Sequence, residues 1–211
     1  MSYINKLPMR WFLVLVITLF LFFLGSVANQ ASAQNDTNED YTEEQHCFAT
    51  ISPVENGAEE SEILDAQCFD NFAEAILVAT EGAVSLPNDI DPGAVTEEIL
   101  NTPQEGMELS GRIIGILYDY EEYGGSTLTW YGNRFGCLRG TWYYANKAPI
   151  SWWDNRASSA KAFTGCYKWY QYEEINNNPY GAALVCYYCW SMRVMNNQAS
   201  SWRWYNSGNH Y

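Results

Sequence analysis

Positive charge is missing from the first half of this 211-residue chain beyond its first few residues: between 34 and 105 there are 18 Asp and Glu but no Lys or Arg. Residues 106–211 hold 9 Lys and Arg against 7 Asp and Glu, so the overall charge of −14 comes from the first half. No basic patch supports a nucleic-acid partner. Histidine is almost absent as well, with His46 and His210 at the two extremes of the mature chain. An enzyme needs a poised base or nucleophile, and this scarcity argues against one. Long apolar runs are also lacking. The run over residues 11–24 is the longest, and it falls short of the roughly 20 residues that cross a bilayer.

That run has another reading. Lys6 and Arg10 precede it and Ala31-Ser32-Ala33 follows it, the layout of a signal peptide over 1–33 that is cleaved near Gln34. The expectation is a secreted, extracellular protein, a monomer, with no stable membrane span after cleavage. Export makes Cys47, Cys68, Cys137, Cys166, Cys186 and Cys189 an even set in an oxidising compartment, where disulfides are the default. Cys186-Tyr-Tyr-Cys189 has the spacing of a redox motif but lacks the βαβ context of one, and it reads as structural.

Three segments follow: the signal peptide, an acidic segment over 34–105, and an aromatic domain over 106–211. Residues 34–45 have little to bury and read as a disordered leader. The Glu-rich loop between Cys47 and Cys68 needs a staple, so a Cys47–Cys68 bridge is expected. Asp70 or Asn71 can cap a short helix carrying Phe72, Ala73, Ala75, Ile76, Leu77 and Ala79, with Gly82 placed to end it. Pro87, Pro92 and Pro103 make 83–107 a linker with a turn of helix near 96–100. From Arg112 onward the sequence breaks into short β-rich runs, at 113–120, 126–131, 141–144, 160–163, 167–172, 182–188, 192–195 and 202–205, separated by Gly- and Asn-rich turns. This pattern predicts an all-β sandwich or barrel.

Within that domain Asp154-Asn155-Arg156-Ala157-Ser158-Ser159 returns 42 residues later as Asn196-Asn197-Gln198-Ala199-Ser200-Ser201, which points to a duplicated unit. Each copy is rich in the hard oxygen donors that calcium takes. Asx- and ST-turns at a strand corner are the plainer reading of such residues.

Tyr118-x-x-x-x-Tyr123-x-Gly125 ahead of Asp154-Asn155-Arg156-Ala157-Ser158-Ser159 resembles the βγ-crystallin Greek-key signature, over about residues 108–205. The resemblance implies two Greek-key motifs forming a βγ-crystallin-like sandwich, with two calcium sites built reciprocally from both keys. The residues it carries over are Glu122 (carbonyl), Asp154, Asn155, Arg156 (backbone), Ser158, Asn196, Asn197, Gln198 (backbone) and Ser200. The second hairpin, sought at Tyr180-Gly181-Ala182, departs from the pattern. With Asn196 and Asn197 in place of carboxylates, affinity of about 10⁻⁴ to 10⁻³ M is expected, as in extracellular modules.

Two other partners fit the sequence. A bacterial proteinase-inhibitor family of crystallin-like fold would use residues 132–140, pinned at Cys137, as a reactive loop against a secreted protease. Trp152 and Trp153 beside Asp154 could bind a surface glycan.

Overall fold

Strands that alternate inward and outward in the smaller sheet, and strands covered on both faces in the larger, enclose a tryptophan core. The computed structural model describes residues 44–177 and 183–206, all within one compact unit, Glu43–Tyr211. The signal peptide, the leader to residue 43, Tyr180-Gly181-Ala182 and His210 lie outside the described residues.

The first key comprises β3 (Gly111–Tyr118), β4 (Thr127–Asn133), β5 (Tyr143–Ala145) and β6 (Ser159–Ala162). The second comprises β7 (Lys168–Tyr172), β8 (Ala183–Cys186), β9 (Tyr188–Cys189) and β10 (Ser201–Tyr205). In each key the first strand lies antiparallel between the second and the fourth, and the third crosses to the other sheet. β5 therefore pairs with β10, and β9 with β6. These are two interlocked Greek keys, the βγ-crystallin-like all-β sandwich that the resemblance implies.

The pleat explains which side chains meet. In β10, Trp202 and Trp204 point inward while Arg203 and Tyr205 face out; in β7, Trp169 and Gln171 point inward. Trp130 from β4 meets Trp202 and Trp204 with ring centroids 5.7 and 4.9 Å apart. Gly115 lets the Trp169 ring lie against the β3 backbone, since a Cβ there would stand 2.6 Å from Cζ3.

The acidic segment also contributes to the sheet. Residues read from sequence as a stapled loop form β1 (His46–Ile51) and β2 (Ile63–Phe69), an antiparallel hairpin whose β1 lies parallel to β4. The sheet order is thus β2-β1-β4-β3-β6-β9, opposite β5-β10-β7-β8, and its hydrogen bonds cross the compositional boundary at residue 106. The Glu content that suggested a loop is concentrated between the strands, at Glu55, Glu59, Glu60 and Glu62. The expected Cys47–Cys68 bridge ties β1 to β2; Cys137–Cys166 and Cys186–Cys189 complete the set.

Helix α1 (Phe72–Ala79) is capped by Asn71, whose Oδ1 accepts from the Glu74 N–H at 3.1 Å; the Gly82 N–H returns to Leu77 O at 2.7 Å. With α2 (Glu97–Asn101) it packs a second core on the outer face of the larger sheet, where Phe72, Ile76 and Leu100 meet Ile113, Ile116 and Phe163. Buried Asn101 locks α2 to β3, accepting from the Ile113 N–H at 3.0 Å and donating to Thr164 Oγ1 at 3.2 Å.

Two runs read as strands are built otherwise. Within the run at 182–188, Ala183–Cys186 form β8 and Tyr188 opens β9, in different sheets, and 192–195 hold a 3₁₀ turn, Arg193–Met195. Met192 and Met195, three apart and both fully buried, have the spacing of a turn rather than of a strand.

Candidate functional site

The two hexapeptides occupy equivalent positions in the two keys. Each follows a 3₁₀ turn, Ser151–Trp153 before Asp154 and Arg193–Met195 before Asn196. The second residue of each, Asn155 or Asn197, has positive φ (57° and 54°), a conformation Asn tolerates better than most residues. The chains then cross-link reciprocally. Asn155 N–H donates to Ala199 O at 3.2 Å, and Asn197 N–H donates to Ala157 O at 3.0 Å.

The side chains repeat the exchange. Ser158 Oγ lies 3.1 Å from Asn197 Oδ1, and Ser200 Oγ lies 3.1 Å from Asn155 Oδ1. Ser158 Oγ also donates to Asp119 O at 2.7 Å. A hydroxyl has one hydrogen, so three oxygens converge there with a single proton among them. Ser158 and Ser200 are anchored through their N–H groups to Tyr118 O and Tyr172 O, both at 2.8 Å. The next serines, Ser159 and Ser201, donate to Tyr120 O and Glu174 O, both at 2.6 Å.

Glu122 sits in the first hairpin turn with φ 59°, its N–H on Trp190 O at 2.7 Å. Its counterpart is Asn176, with φ 61° and its N–H on Asn146 O at 3.0 Å. The second hairpin therefore turns at Ile175–Asn177, ahead of the position sought at Tyr180. Counting would have found it, because Asn176 follows Tyr172 by the same interval as Glu122 follows Tyr118.

Sequence reasoning also missed Asp119. Its carboxylate is buried and paired with the Arg156 guanidinium at 2.8 Å, which also stacks on Trp152 at 4.5 Å. Arg156 thus contributes a side chain as well as the backbone carbonyl assigned to it. Gly125 of the aromatic signature makes room for Asp119, since a Cβ there would lie 2.0 Å from Asp119 Oδ1. Tyr118 and Tyr123, the aromatic pair of that signature, meet edge to face at 5.5 Å.

The donor set suits a hard cation: amide, hydroxyl and carbonyl oxygens, with Asp154 exposed at the rim. Asn196 Oδ1 and Asp119 Oδ1 are buried without a hydrogen-bond partner among the described residues. No group of three or more His, Cys, Asp or Glu capable of holding a metal occurs among the described residues. A soft or transition metal would want such ligands; calcium needs only oxygens.

Other candidate groups are placed differently. His46 is buried, its Nδ1 3.1 Å from Thr127 Oγ1 and its ring edge-on to Phe72 at 5.7 Å, and burial lowers its pKa to about 4. Trp153 is fully buried and offers no face to a glycan, while Trp152 lies under Arg156. Of residues 132–140, Gly132 and Asn133 close β4 and 134–140 fold as successive tight turns, Gly136 N–H to Asn133 O and Leu138 N–H to Phe135 O. No helix among the described residues is long and apolar enough to cross a membrane.

No protein-family model and no curated protein matches the chain. Among solved structures, the crystal structure of a betagamma-crystallin from an Archaea is similar over 44% of this chain and 96% of its own, at 20% identity and a TM-score of 0.31. The strand order itself, with β5 and β9 exchanged between the sheets, makes the fold βγ-crystallin-like.

Proposed function

We propose that this is a secreted, non-enzymatic, calcium-binding protein in which calcium stabilises the double Greek-key domain. The observation that carries the reading is the reciprocal placement of Ser158 beside Asn197 and Ser200 beside Asn155, each at 3.1 Å. Each site then draws oxygens from both keys, so an ion would bridge halves that separate on unfolding. Glu122 and Asn176 would offer turn carbonyls, and Arg156 and Gln198 backbone carbonyls, to the two sites. Three disulfides among the described cysteines support an oxidising destination.

An ion that binds only the folded state adds RT ln(1 + [L]/Kd), about 1.4 kcal/mol when calcium stands roughly tenfold above Kd. Calorimetric titration of the oxidised protein with millimolar calcium should give a saturable heat. Ser158→Ala with Ser200→Ala, which removes both hydroxyl oxygens without adding bulk, should remove that heat while far-UV circular dichroism stays unchanged. Absence of any heat from the parent protein defeats the calcium reading.

A further inference from the structure

Far from the hexapeptides, at the other end of β3, lies a cavity of about 570 Å³ lined by Arg112, Arg134 and Arg139 together with Phe135 and Glu108. Arg112 is the second residue of β3 while Asp119 follows its last, which separates the two places by roughly 20 Å at ~3.3 Å per residue. We infer that this cavity binds a small polyvalent oxyanion through its three guanidinium groups.

Charge is the first argument. The chain carries 25 acidic and 11 basic residues, so an arginine has abundant carboxylates to choose from. Nevertheless none of these three makes an ion pair with a described residue; Arg112 donates Nη1 to Asn101 O at 2.9 Å, and Arg134 and Arg139 hold their guanidinium carbons 4.7 and 4.8 Å from the Phe135 ring centre. Stacking on a ring engages the guanidinium face and leaves its N–H edge available. Three positive charges therefore line one cavity, with Glu108 the one carboxylate among its described lining residues.

Preorganisation is the second argument. Asn133 Oδ1 accepts from Phe135 N–H and from Tyr143 Oη, both at 3.0 Å, and Cys137 is bridged to Cys166. Gly136 has φ +54° and passes so close to Thr164 that a Cβ would lie 2.3 Å from its carbonyl oxygen. Arg139 is held at φ 58°. A loop fixed in this way presents its arginines at little further entropic cost, which favours affinity. The guanidinium fork matches phosphate and carboxylate oxygens bidentately, and the cavity is of metabolite size.

The test is calorimetric titration of the full oxidised chain, free of calcium and at low ionic strength, with pyrophosphate and separately with citrate. At least one should bind saturably at a single site; pyrophosphate alone would identify a phosphoryl ligand, citrate alone a polycarboxylate. Arg134→Gln and Arg139→Gln, both at exposed positions, should each weaken binding about tenfold, the loss of a charge-assisted hydrogen bond. Lys147→Gln, an exposed charge outside the cavity, should bind as the parent does. The inference fails if neither anion saturates at millimolar concentration, if both arginine variants bind as the parent does, or if Lys147→Gln weakens binding equally.

Discussion

Single atoms decide how the hexapeptides work. Ser158 has one hydrogen to share between Asp119 O and Asn197 Oδ1, and the neighbouring Asp119 is held by Arg156 in space that Gly125 leaves open. Gly125→Ala puts a methyl group onto Asp119 Oδ1 at a backbone φ of +76°. It should lower unfolding free energy by about 1–3 kcal/mol in urea titrations, and it should weaken the calcium heat through displacement of Asp119. His46 lies apart from the hexapeptides, against Thr127 and Phe72. Burial lowers its pKa from 6.5 to about 4, so between those values the unfolded chain takes up a proton that the folded chain refuses. Its contribution to stability is therefore intact above pH 6.5 and lost as pH falls through 4. The loss of Tm across that window should be smaller in His46→Gln than in the parent; equal slopes would place the burial effect elsewhere.

Elements were legible where local pattern and tertiary environment agreed. The Asn71-capped helix shows its cap, β7 and β10 alternate in burial, and β3 to β6 are apolar or aromatic runs set off by Gly- and Asn-rich turns. β1 and β2 did not announce themselves, because β1 is covered on both faces and does not alternate in burial, while β2 is an edge with Ile63 and Leu64 exposed. Asn176 was hidden by the longer second hairpin, and the reciprocal Ser–Asn contacts could be drawn from the sequence only through the family resemblance.

Beside the β1–β4 ladder and Asn101, a lysine from β6 ties residues 93–95 to the larger sheet. Lys161 donates to Gly93 O and Val95 O and lies 4.4 Å from the Tyr123 ring centre, while Tyr118 Oη donates to Pro92 O at 3.0 Å. Desolvation lowers the Lys161 pKa, yet its partners are carbonyls and a ring face, which favour the ammonium form. Lys161→Met should therefore free those carbonyls and destabilise the protein by about 1–3 kcal/mol. Hydrogen exchange should speed first in the segment around residues 91–95 and α2. Uniformly faster exchange across β3 and β4 would show that Lys161 serves the whole sheet instead.

The whole molecule carries a formal charge of −14 at pH 7. Self-repulsion at that charge means that any salt should stabilise it by screening, over a Debye length of about 10 Å at 0.1 M. Thermal stabilisation by calcium alone is thus ambiguous, since a divalent ion also screens a negative surface. Magnesium separates the two effects. It has the same charge and the same screening power, but it demands a small octahedral shell and gives up water reluctantly, which a loose set of amide, hydroxyl and carbonyl oxygens does not repay. At equal millimolar concentrations in 0.15 M salt, near-physiological screening, magnesium should leave Tm almost unchanged. Calcium should raise it by about 3–6 °C, the shift expected for roughly 1.4 kcal/mol in a domain of this size. The rise should vanish in Ser158→Ala with Ser200→Ala, and persist in Arg134→Gln because the arginine cavity lies at the other end of β3. Equal rises with the two ions would mean that the hexapeptides are corner turns and that the protein feels calcium only as ionic strength.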